Sequence, residues 1–387
     1  MPRLSARLKD LHGSPVRAML QSSLQPDVIS FAGGLPAPET FEDIALPVPP
    51  RSLLQYGPTE GEPELRAAIA QELAAIGLDC PAERVMVLSG SQQGIDLVAK
   101  LCIDAGTPVA VESPAYLAAL QVFRFFGADL QAMPPGGWGD GPAPALAYVT
   151  PTFQNPTGRC WSLEERMALA AACQAQDVVL FEDDPYRELA YEDCERRPIA
   201  SFMTGGSWVY QGSFSKDLAP GLRLGFLAAS EDLFTPLSRL KQAADLHTSR
   251  VGQWAALHYL NDPGRPARLG RLAEHYRTRR DRFAEALERH LGGLAEWDVP
   301  PGGLFFWVRL AAGLEPQALL ARAMQQKVLF TPGEHFLADR AGASPALRLN
   351  FSNASVEAAE RGLEILGGIL REMAADANDP ASAAHAA

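Results

Sequence analysis

The chain has 387 residues, of which 47% are hydrophobic and 21% are charged, and its formal net charge at pH 7 is -12. This length is sufficient for two domains, and this composition is typical of a soluble globular protein. The negative charge argues against binding to duplex nucleic acid. No apolar run reaches the ~18 residues of a membrane span, and the N-terminus lacks the apolar region of a signal peptide.

The cysteines indicate a reducing environment. There are five of them, an odd number without a C-x-x-C pair: Cys80, Cys102, Cys160, Cys173 and Cys194. Such a set favours reduced, mostly buried thiols in a cytoplasmic protein, and we expect no metal site.

The N-terminal region contains two segments that can be interpreted in two ways. A short helix is predicted to begin at Ser14 or Pro15, and Arg17 on it either faces solvent or reaches a site. In FAGGLPAPETF (31–41), paired glycines and two prolines mark irregular backbone that can lie close to a ligand. An ordinary turn explains this segment equally well.

A tyrosine-containing turn comes next. QYGPTEG (55–61) precedes a helix predicted at residues 63–76, and the ring of Tyr56 in this turn is free to project from it. Most tyrosines in such turns simply pack against their neighbours, so the residue alone does not indicate a site.

From residue 85 to residue 229, short apolar runs alternate with helical patterns. The predicted strands are residues 85–89, 108–112, 145–150, 178–183, 208–212 and 222–229. The predicted helices between the earlier runs are residues 92–104, 114–126 and 162–176. Ser162 and Glu165 form a capping box at the start of the last helix. The alternation indicates an α/β fold with a largely parallel sheet, whose ligands lie beyond the C-terminal strand ends.

Polar side chains follow these strand ends. SGSQQG (89–94) opens a helix whose N–H groups and positive dipole end would attract a phosphate, unless it is merely a capped helix. Tyr116 stacks on a flat ring or simply packs. Asn155, in a Pro-rich turn, donates to a phenolate or bonds only its own backbone. Either Asp183 or Asp184 holds a ring nitrogen protonated, or both belong to a solvated acidic turn.

One turn holds a lysine among small residues. In WVYQGSFSKDLAPGLRLGFLAA (208–229), Ser213, Ser215, Lys216 and Arg223 lie between two apolar arms. Hydroxyls and a guanidinium can hold a phosphate dianion, and a lysine in such a turn can form an imine with a carbonyl cofactor. A surface turn with a solvated lysine is the alternative. Because all these turns fall on one side of one sheet, we favour a single cofactor site.

The C-terminal part of the chain contains two long helices and a smaller unit. The helices are predicted at residues 235–260 and 264–292. The smaller unit contains strands within residues 300–310, 328–333 and 347–352, and helices near residues 315–327 and 355–373.

The motifs between residues 31–41 and LRLNFS (347–352) resemble those of the fold-type I aminotransferases of class I and II, which use pyridoxal 5'-phosphate (PLP). The resemblance covers nearly the whole chain. It is strongest to the branch that contains 2-aminoadipate and kynurenine aminotransferases and the effector domains of MocR-type regulators. It implies a large domain around a mostly parallel seven-stranded sheet with flanking helices, and a smaller α/β domain.

The resemblance also implies domain boundaries, with the N-terminal segment packing on the C-terminal part. The large PLP-binding domain would comprise residues 46–290, the small domain residues 1–45 and 291–374, and a disordered tail residues 375–387.

Roles for individual residues follow from the same resemblance. Lys216 would hold PLP as an imine and act as general base and acid at the substrate Cα, Asp183 would pair with the pyridine nitrogen, and Tyr116 would stack on the ring. The implied phenolate ligands are Asn155 and Tyr186. The implied phosphate ligands are Ser91, Gln92, Ser213, Ser215 and Arg223. Tyr56 would reach the phosphate of the neighbouring subunit in a homodimer with shared active sites.

Substrate contacts are implied as well. Arg348 would bind the substrate α-carboxylate, aided by Asn155 and by the backbone near Gly34, because a bidentate guanidinium–carboxylate pair fixes orientation. Arg17 lies where this branch carries a mobile lid, and it would pair with a distal carboxylate of an acidic side chain.

The implied function is transamination from an amino acid to a 2-oxo acid such as 2-oxoglutarate, without nucleic acid or membrane as a partner. A PLP-dependent decarboxylase or β-lyase stays open, because the cofactor ligands do not decide which substrate bond breaks. Arg348 favours transamination because it retains the carboxylate. A MocR-type regulator needs an N-terminal winged-helix module, for which we expect no room before residue 31. The amino donor stays open among aminoadipate, glutamate, aromatic, branched-chain and kynurenine substrates.

Overall fold

The computed structural model describes residues 5, 7–8, 27–41, 47–139, 141–339 and 342–378. Arg17 and the short helix predicted near Ser14 lie outside the described residues, as do residues 379–387 of the predicted tail.

The described residues form the predicted strands and helices in chain order, with further strands and one broken helix that the sequence does not predict. The strands are β1 (Ile29–Ser30), β2 (Val85–Leu88), β3 (Pro108–Glu112), β4 (Asp129–Met133), β5 (Leu146–Val149), β6 (Val179–Asp183), β7 (Trp208–Ser213), β8 (Gly225–Ala229), β9 (Ala295–Trp297), β10 (Phe305–Leu310), β11 (Val328–Leu329), β12 (Thr331–Pro332) and β13 (Ala346–Asn350). The helices are α1 (Pro63–Ala75), α2 (Ser91–Cys102), α3 (Leu117–Phe126), α4 (Leu163–Gln176), α5 (Glu231–Asp245), α6 (Arg250–Leu260), α7 (Arg265–Leu291), α8 (Pro316–Gln325) and α9 (Val356–Asn378).

Seven of these strands form one large sheet in the order β2-β8-β7-β6-β5-β3-β4. Strands β3 to β7 pair in parallel, whereas β8 is antiparallel to both of its neighbours. The mostly parallel seven-stranded sheet is therefore confirmed. Since β2 runs in the same direction as β7, the C-terminal ends of β2, β3, β5, β6 and β7 lie at one edge, where β8 begins.

Helices cover both faces of this sheet, because successive strand residues point to opposite sides. On β2, Val85 and Val87 pack with α1, α4 and α6. Met86 and Leu88 pack on the other face with α2, α3 and α5. The capping box predicted for α4 is present, since the Ser162 hydroxyl accepts from the N–H of Glu165 and the Glu165 carboxylate accepts from the N–H of Ser162.

The smaller unit is built on an antiparallel sheet in the order β12-β13-β10-β9. Helices α7, α8 and α9 pack with it around one apolar cluster, which also contains Phe31. The N-terminal segment joins this unit through parallel pairing of β1 with β11. The carbonyl oxygen of Gly34 in the same segment accepts from Lys216 Nζ, so the segment contacts both the smaller unit and the edge of the large sheet.

One predicted helix is wrong, because it is divided into two helices in the structure. The sequence predicts a single helix over residues 235–260, but α5 ends at Asp245 and α6 begins at Arg250. The break occurs because Leu246 adopts φ 63°, which a continuous helix does not allow. The Ser249 hydroxyl then caps the new helix by accepting from the N–H of Gly252.

Smaller differences have local causes. Strand β8 begins three residues later than predicted, because Arg223 takes the left-handed φ of 51°. Strand β4 was not among the predicted strands, and it is a largely exposed edge strand without a β-branched residue. Helix α9 continues to Asn378, beyond residue 375 where the tail was predicted to begin.

None of the helices formed by the described residues is both long enough and apolar enough to cross a membrane.

Candidate active site

The C-terminal edge of the large sheet surrounds a cavity of about 280 Å³. The segments that follow β2, β3, β5, β6 and β7 all contribute to its wall. The lining residues are Ser91, Gln92, Tyr116, Thr150, Asn155, Asp183, Pro185, Tyr186, Ser213, Ser215, Lys216 and Arg223. The structure thus brings together in one cavity every residue for which the sequence predicts a PLP contact within its own subunit.

Lys216 lies in the turn after β7, and its amine reaches into the cavity. Its Nζ donates to the carbonyl oxygen of Gly34 at 2.9 Å. Burial, together with the positive charges of Arg223 and Arg348, lowers the pKa of Lys216 to about 8. A substantial fraction of this amine is therefore unprotonated at neutral to mildly alkaline pH, which is the form that attacks a carbonyl carbon.

Asp183 ends β6, and its carboxylate points into the cavity, where only 3% of the residue is exposed. Tyr148 Oη donates to one oxygen at 2.8 Å and Gln211 Nε2 donates to the other at 2.9 Å. Burial raises the pKa of Asp183 to about 6, and these two donors oppose the rise. The carboxylate is therefore mostly ionised at pH 7.

The neighbouring Asp184 lies outside this cavity, on the other side of the strand end. Its carboxylate accepts from Tyr210 Oη at 2.9 Å and forms an ion pair with Arg187 at 3.1 Å. Of the two adjacent carboxylates, the structure therefore places Asp183 in the cavity, in agreement with the residue chosen from the sequence.

Residues 90–92 at the start of α2, together with Arg223, form a cradle for an anion. Gly90 precedes the helix with φ 85°, and its lack of a side chain leaves room for the Arg223 guanidinium, which a Cβ there would strike. A Cβ on Gly225 would lie 2.9 Å from the N–H nitrogen of Ser91. Free N–H groups at a helix start, beside a guanidinium, attract a phosphate.

The cavity wall also carries hydroxyl and amide groups. Tyr116 precedes α3, and Asn155 Nδ2 donates to Tyr186 Oη at 3.3 Å. Burial raises the pKa of both tyrosines, so both hydroxyls are protonated at neutral pH. A phenolate placed here would find two donors, the Asn155 amide and the Tyr186 hydroxyl.

Arg348 approaches the same cavity from β13 of the smaller unit. Its Nη1 donates to Asn155 Oδ1 at 2.8 Å, and its Nη2 donates to the carbonyl oxygen of Ala32. The guanidinium carbon lies 4.3 Å from the ring centre of Phe305 and 5.0 Å from that of Phe336. Burial lowers the pKa of Arg348 to about 10, so it remains charged at neutral pH. Its buried Nε has no hydrogen-bond partner, which leaves a donor for a substrate carboxylate.

Among the described residues, the predicted site residues Arg348, Gly34 and Tyr56 do not themselves line the cavity. Gly34 supplies the carbonyl that accepts from Lys216, and a Cβ on it would lie 2.9 Å from the Phe305 ring. Tyr56 is 75% exposed, and its ring packs edge-on against His247 at 5.8 Å. Arg17 lies outside the described residues.

Sequence reasoning missed several residues that support the site. Tyr148 and Gln211 hold Asp183, and Phe305 and Phe336 enclose Arg348. Gln211 could have been identified from the sequence, because a polar side chain within an otherwise apolar strand needs a buried partner. Nothing in the local sequence around Phe305 and Phe336 indicates that they would meet the same arginine.

Comparison with known proteins agrees with this arrangement. The sequence model of the family described as aminotransferase class I and II matches residues 27–366. The 2-aminoadipate transaminase of Thermus thermophilus is 35% identical, covering 94% of this chain and 96% of that protein. Aromatic-amino-acid aminotransferase 1 of Thermococcus litoralis is 34% identical, covering 95% and 94%, respectively.

A solved structure extends the comparison to the fold. The α-aminoadipate aminotransferase of Thermus thermophilus, complexed with N-(5'-phosphopyridoxyl)-L-leucine, superposes with a TM-score of 0.85 at 33% identity. The match covers 96% of this chain and 98% of that one. The chain belongs to the class I and II aminotransferases. It is therefore an enzyme that transfers amino groups with PLP, and the predicted fold, cofactor and enzyme class are confirmed.

The residues of the cavity fit PLP on structural grounds. The cradle kept open by Gly90 and Gly225 suits the phosphate, and the buried carboxylate of Asp183 suits a protonated ring nitrogen. Lys216 presents an amine in the same cavity. No cluster of three or more potential metal ligands occurs among the described residues.

Proposed function

We propose that the enzyme moves the amino group of an amino acid to a 2-oxo acid such as 2-oxoglutarate, with Lys216 as the covalent anchor of PLP. The observation that carries this proposal is the convergence of Lys216, Asp183 and Arg348 on one cavity. An amine, a carboxylate and a carboxylate-binding guanidinium are the three groups that amino-group transfer requires from the protein.

Each of these residues has a distinct task. When bound, PLP supplies an electron sink for the bonds at the substrate Cα. Asp183 keeps the ring nitrogen protonated, which strengthens that sink. Lys216 takes and returns the proton at Cα, since its pKa of about 8 lies close to neutral pH. Arg348 holds the α-carboxylate, so that the Cα–H bond is presented to Lys216.

Asn155 connects the two halves of the site. Its amide nitrogen donates toward the Tyr186 hydroxyl, and its amide oxygen accepts from Arg348. The position of the guanidinium is therefore tied to the groups that would hold the PLP phenolate. We infer that this link sets the angle at which an α-carboxylate enters the cavity.

A panel of amino donors with 2-oxoglutarate tests the proposal. We expect stoichiometric formation of glutamate and of the 2-oxo acid derived from the donor. Release of carbon dioxide, or of ammonia and a shortened product, without glutamate formation would instead identify a decarboxylase or a β-lyase. Arg348 argues against decarboxylation, because a carboxylate held by a guanidinium is retained.

The identity of the donor depends on the cations near its side chain. Among the described residues, the cations that line the cavity are Lys216 and Arg223, and Arg348 adjoins it. All three have a proposed task at the cofactor or at the α-carboxylate. Similar enzymes are named for 2-aminoadipate and for aromatic amino acids, and one was solved with a leucine adduct. We therefore leave aminoadipate, glutamate, aromatic, branched-chain and kynurenine donors as arms of the panel.

Arg17 is the residue we propose for recognition of an acidic side chain. Replacing it, as Arg17→Ala, should weaken kcat/KM for glutamate or aminoadipate by roughly 1.5–3 kcal/mol, the scale of a charged hydrogen bond. The kcat/KM for leucine or phenylalanine should change little, because those side chains offer no carboxylate.

The variant Arg17→Lys, which keeps the charge without the planar fork, serves as the control and should lose less toward acidic donors. An equal loss for acidic and apolar donors would show that Arg17 is structural. No loss for either would show that its side chain stays in solvent.

We also propose that the active unit is a homodimer with shared active sites. Arg250 holds the segment that carries Tyr56 by donating to its backbone carbonyl oxygens, and the Tyr56 ring packs against His247. The chain segments that lead to Tyr56 and His247 expose large apolar side chains that a second copy would cover: Val48 at 90%, Leu54 at 76%, Tyr56 at 75% and Leu246 at 52%. Tyr56 would then reach the phosphate cradle of the partner.

Sedimentation equilibrium should give twice the chain mass of 41.7 kDa at working concentration. The variant Leu54→Asp should dissociate the dimer and inactivate it, because a carboxylate would be buried at the interface. Met167→Asp, at a 50% exposed methionine on α4, is the matched control and should change neither mass nor activity. A fully active monomer would refute the shared site.

The chemistry of the thiols supports a location in the cytoplasm. All five cysteines are free in the structure. We infer a reducing compartment and small-molecule partners, an amino acid and a 2-oxo acid, and the net charge of -12 offers no general surface for nucleic acid.

A further inference from the structure

A buried ion pair lies outside the cavity, beneath the start of α2. Lys241 Nζ and Asp245 Oδ1, one helical turn apart on α5, are separated by 2.7 Å. The Lys241 side chain is completely buried, whereas that of Asp245 is 30% exposed. Neither residue lines the cavity. Burying a lysine is unfavourable unless its charge and all its donors are satisfied, so its contacts identify what it holds in place.

The pair holds the two residues that flank the cradle. Lys241 Nζ donates to Gln93 Oε1 at 2.9 Å. Gln93 Nε2 and Ser89 Oγ donate to Asp245 Oδ2, at 2.8 Å and 2.9 Å. Gln93 Oε1 also accepts from the N–H of Ser89 at 2.9 Å. The three residues between Ser89 and Gln93 include Ser91 and Gln92, the predicted phosphate ligands.

The same lysine also reaches the strand that leads into the cradle. Lys241 Nζ donates to Thr248 Oγ1 at 2.9 Å, and this hydroxyl donates to the carbonyl oxygen of Val87 on β2 at 3.2 Å. Thr248 returns toward Lys241 because the chain turns at Leu246, where α5 ends. The end of β2 and the start of α2 are therefore fixed to one buried ammonium group.

The cradle needs support of this kind. Its N-cap residue is Gly90, which makes no side-chain capping bond and takes φ 85°. Glycine permits this conformation but does not by itself favour it over others, because glycine populates both signs of φ about equally. A side-chain cap would stabilise the helix start but would also occupy the N–H groups that a phosphate needs. Hydrogen bonds that join Gln93 and Ser89 to the buried ion pair instead fix the turn and leave these N–H groups free.

We propose that Lys241 and Asp245 are a positioning pair that holds the turn from Ser89 to Gln93 in the conformation that binds the PLP phosphate. This inference rests on the proposed function, because it requires PLP to be bound with its phosphate at Ser91 and Gln92. The pair touches neither PLP nor substrate. It acts through Gln93 and Ser89.

The test compares PLP with pyridoxal, which has the same ring and aldehyde but no phosphate. The full chain is stripped of cofactor and titrated with each compound, and binding is followed by absorbance. In Lys241→Met we expect the dissociation constant for PLP to rise by about 10- to 100-fold, as for loss of one or two charged hydrogen bonds. The dissociation constant for pyridoxal should change by less than about threefold.

Two further variants separate positioning from folding. Lys241→Met leaves the Asp245 charge without its partner, so the double variant with Asp245→Leu, which removes both charges, should recover melting temperature without recovering PLP affinity. Lys100→Met is the matched control, because Lys100 forms an exposed pair with Asp96 at the same four-residue spacing on α2. It should bind both compounds like the unmodified enzyme.

An equal rise in both dissociation constants, or no rise in either, would overturn the inference. Recovery of PLP affinity in the double variant would also overturn it, because the loss would then be due to the unpaired charge. Failure of the proposed function would look different. In that case the unmodified enzyme itself would not bind PLP at Lys216, or would not prefer PLP to pyridoxal.

Discussion

Replacing Lys216 with alanine should abolish nearly all turnover while leaving some PLP bound. Proton transfer by a positioned side chain contributes about 10²- to 10⁴-fold to a rate, and loss of the covalent anchor adds to that effect. The cradle at α2 does not depend on the lysine, so the phosphate contacts should survive. The measurements are kcat with the best donor and the dissociation constant for PLP.

The site of attachment can be read directly. Purified enzyme should be yellow, and reduction with borohydride should fix PLP to the peptide that contains Lys216. The chain offers few competitors, because its other lysines are Lys9, Lys100, Lys241 and Lys327. Lys241 is buried in an ion pair, and Lys100→Ala is a suitable exposed control that should keep full activity. Attachment elsewhere, or no attachment, would refute the assignment of the site.

Exchanging Asp183 for asparagine should lower kcat by about 10³-fold, the scale reached when a preorganised charge or donor is removed from an active site. The side chain keeps its shape but loses the charge that holds the ring nitrogen protonated. Its environment is built for an anion, because both carboxylate oxygens accept from donors, Tyr148 Oη and Gln211 Nε2. Steady-state rates at pH 7 are the measurement.

Asp184→Asn is the matched control for that experiment. It changes the adjacent, equally buried carboxylate, which pairs with Arg187 outside the cavity. We expect a lower melting temperature, because a buried pair is broken, but a loss in kcat of less than about tenfold. Rates should be compared at a temperature where both variants are folded. A larger kcat loss for Asp184→Asn than for Asp183→Asn would show that the wrong carboxylate was chosen.

The sequence could predict the part of the site that depends on local chain geometry. Strand ends are visible as apolar runs followed by turn residues, and parallel strands bring those turns to one edge. That is why residues as distant in sequence as Ser91 and Lys216 could be expected in one place. The family resemblance then assigned a role to particular residues in each turn, whereas local chemistry alone left those roles open.

Features that depend on contacts between distant segments could not be predicted in this way. The enclosure of Arg348 by Phe305 and Phe336 requires β10, β13 and the segment after β12 to meet. The break at Leu246 was hidden because the residues around it continue a helical pattern. The fully buried Lys241 was hidden because a lysine on a helix normally faces solvent.

The large sheet and the smaller unit supply different residues to the site, and this difference affects how the donor preference of such an enzyme can change. Every cavity-lining residue comes from the large sheet and its adjoining segments, whereas Arg348 and Gly34 come from the smaller unit and the N-terminal segment. Substitutions of residues that neighbour Arg348 and Gly34 can reshape the space around a donor side chain while Lys216, Asp183 and Arg348 keep their proposed tasks. Donor preference can therefore change among descendants of one ancestor while the contacts proposed for PLP and for the α-carboxylate are retained.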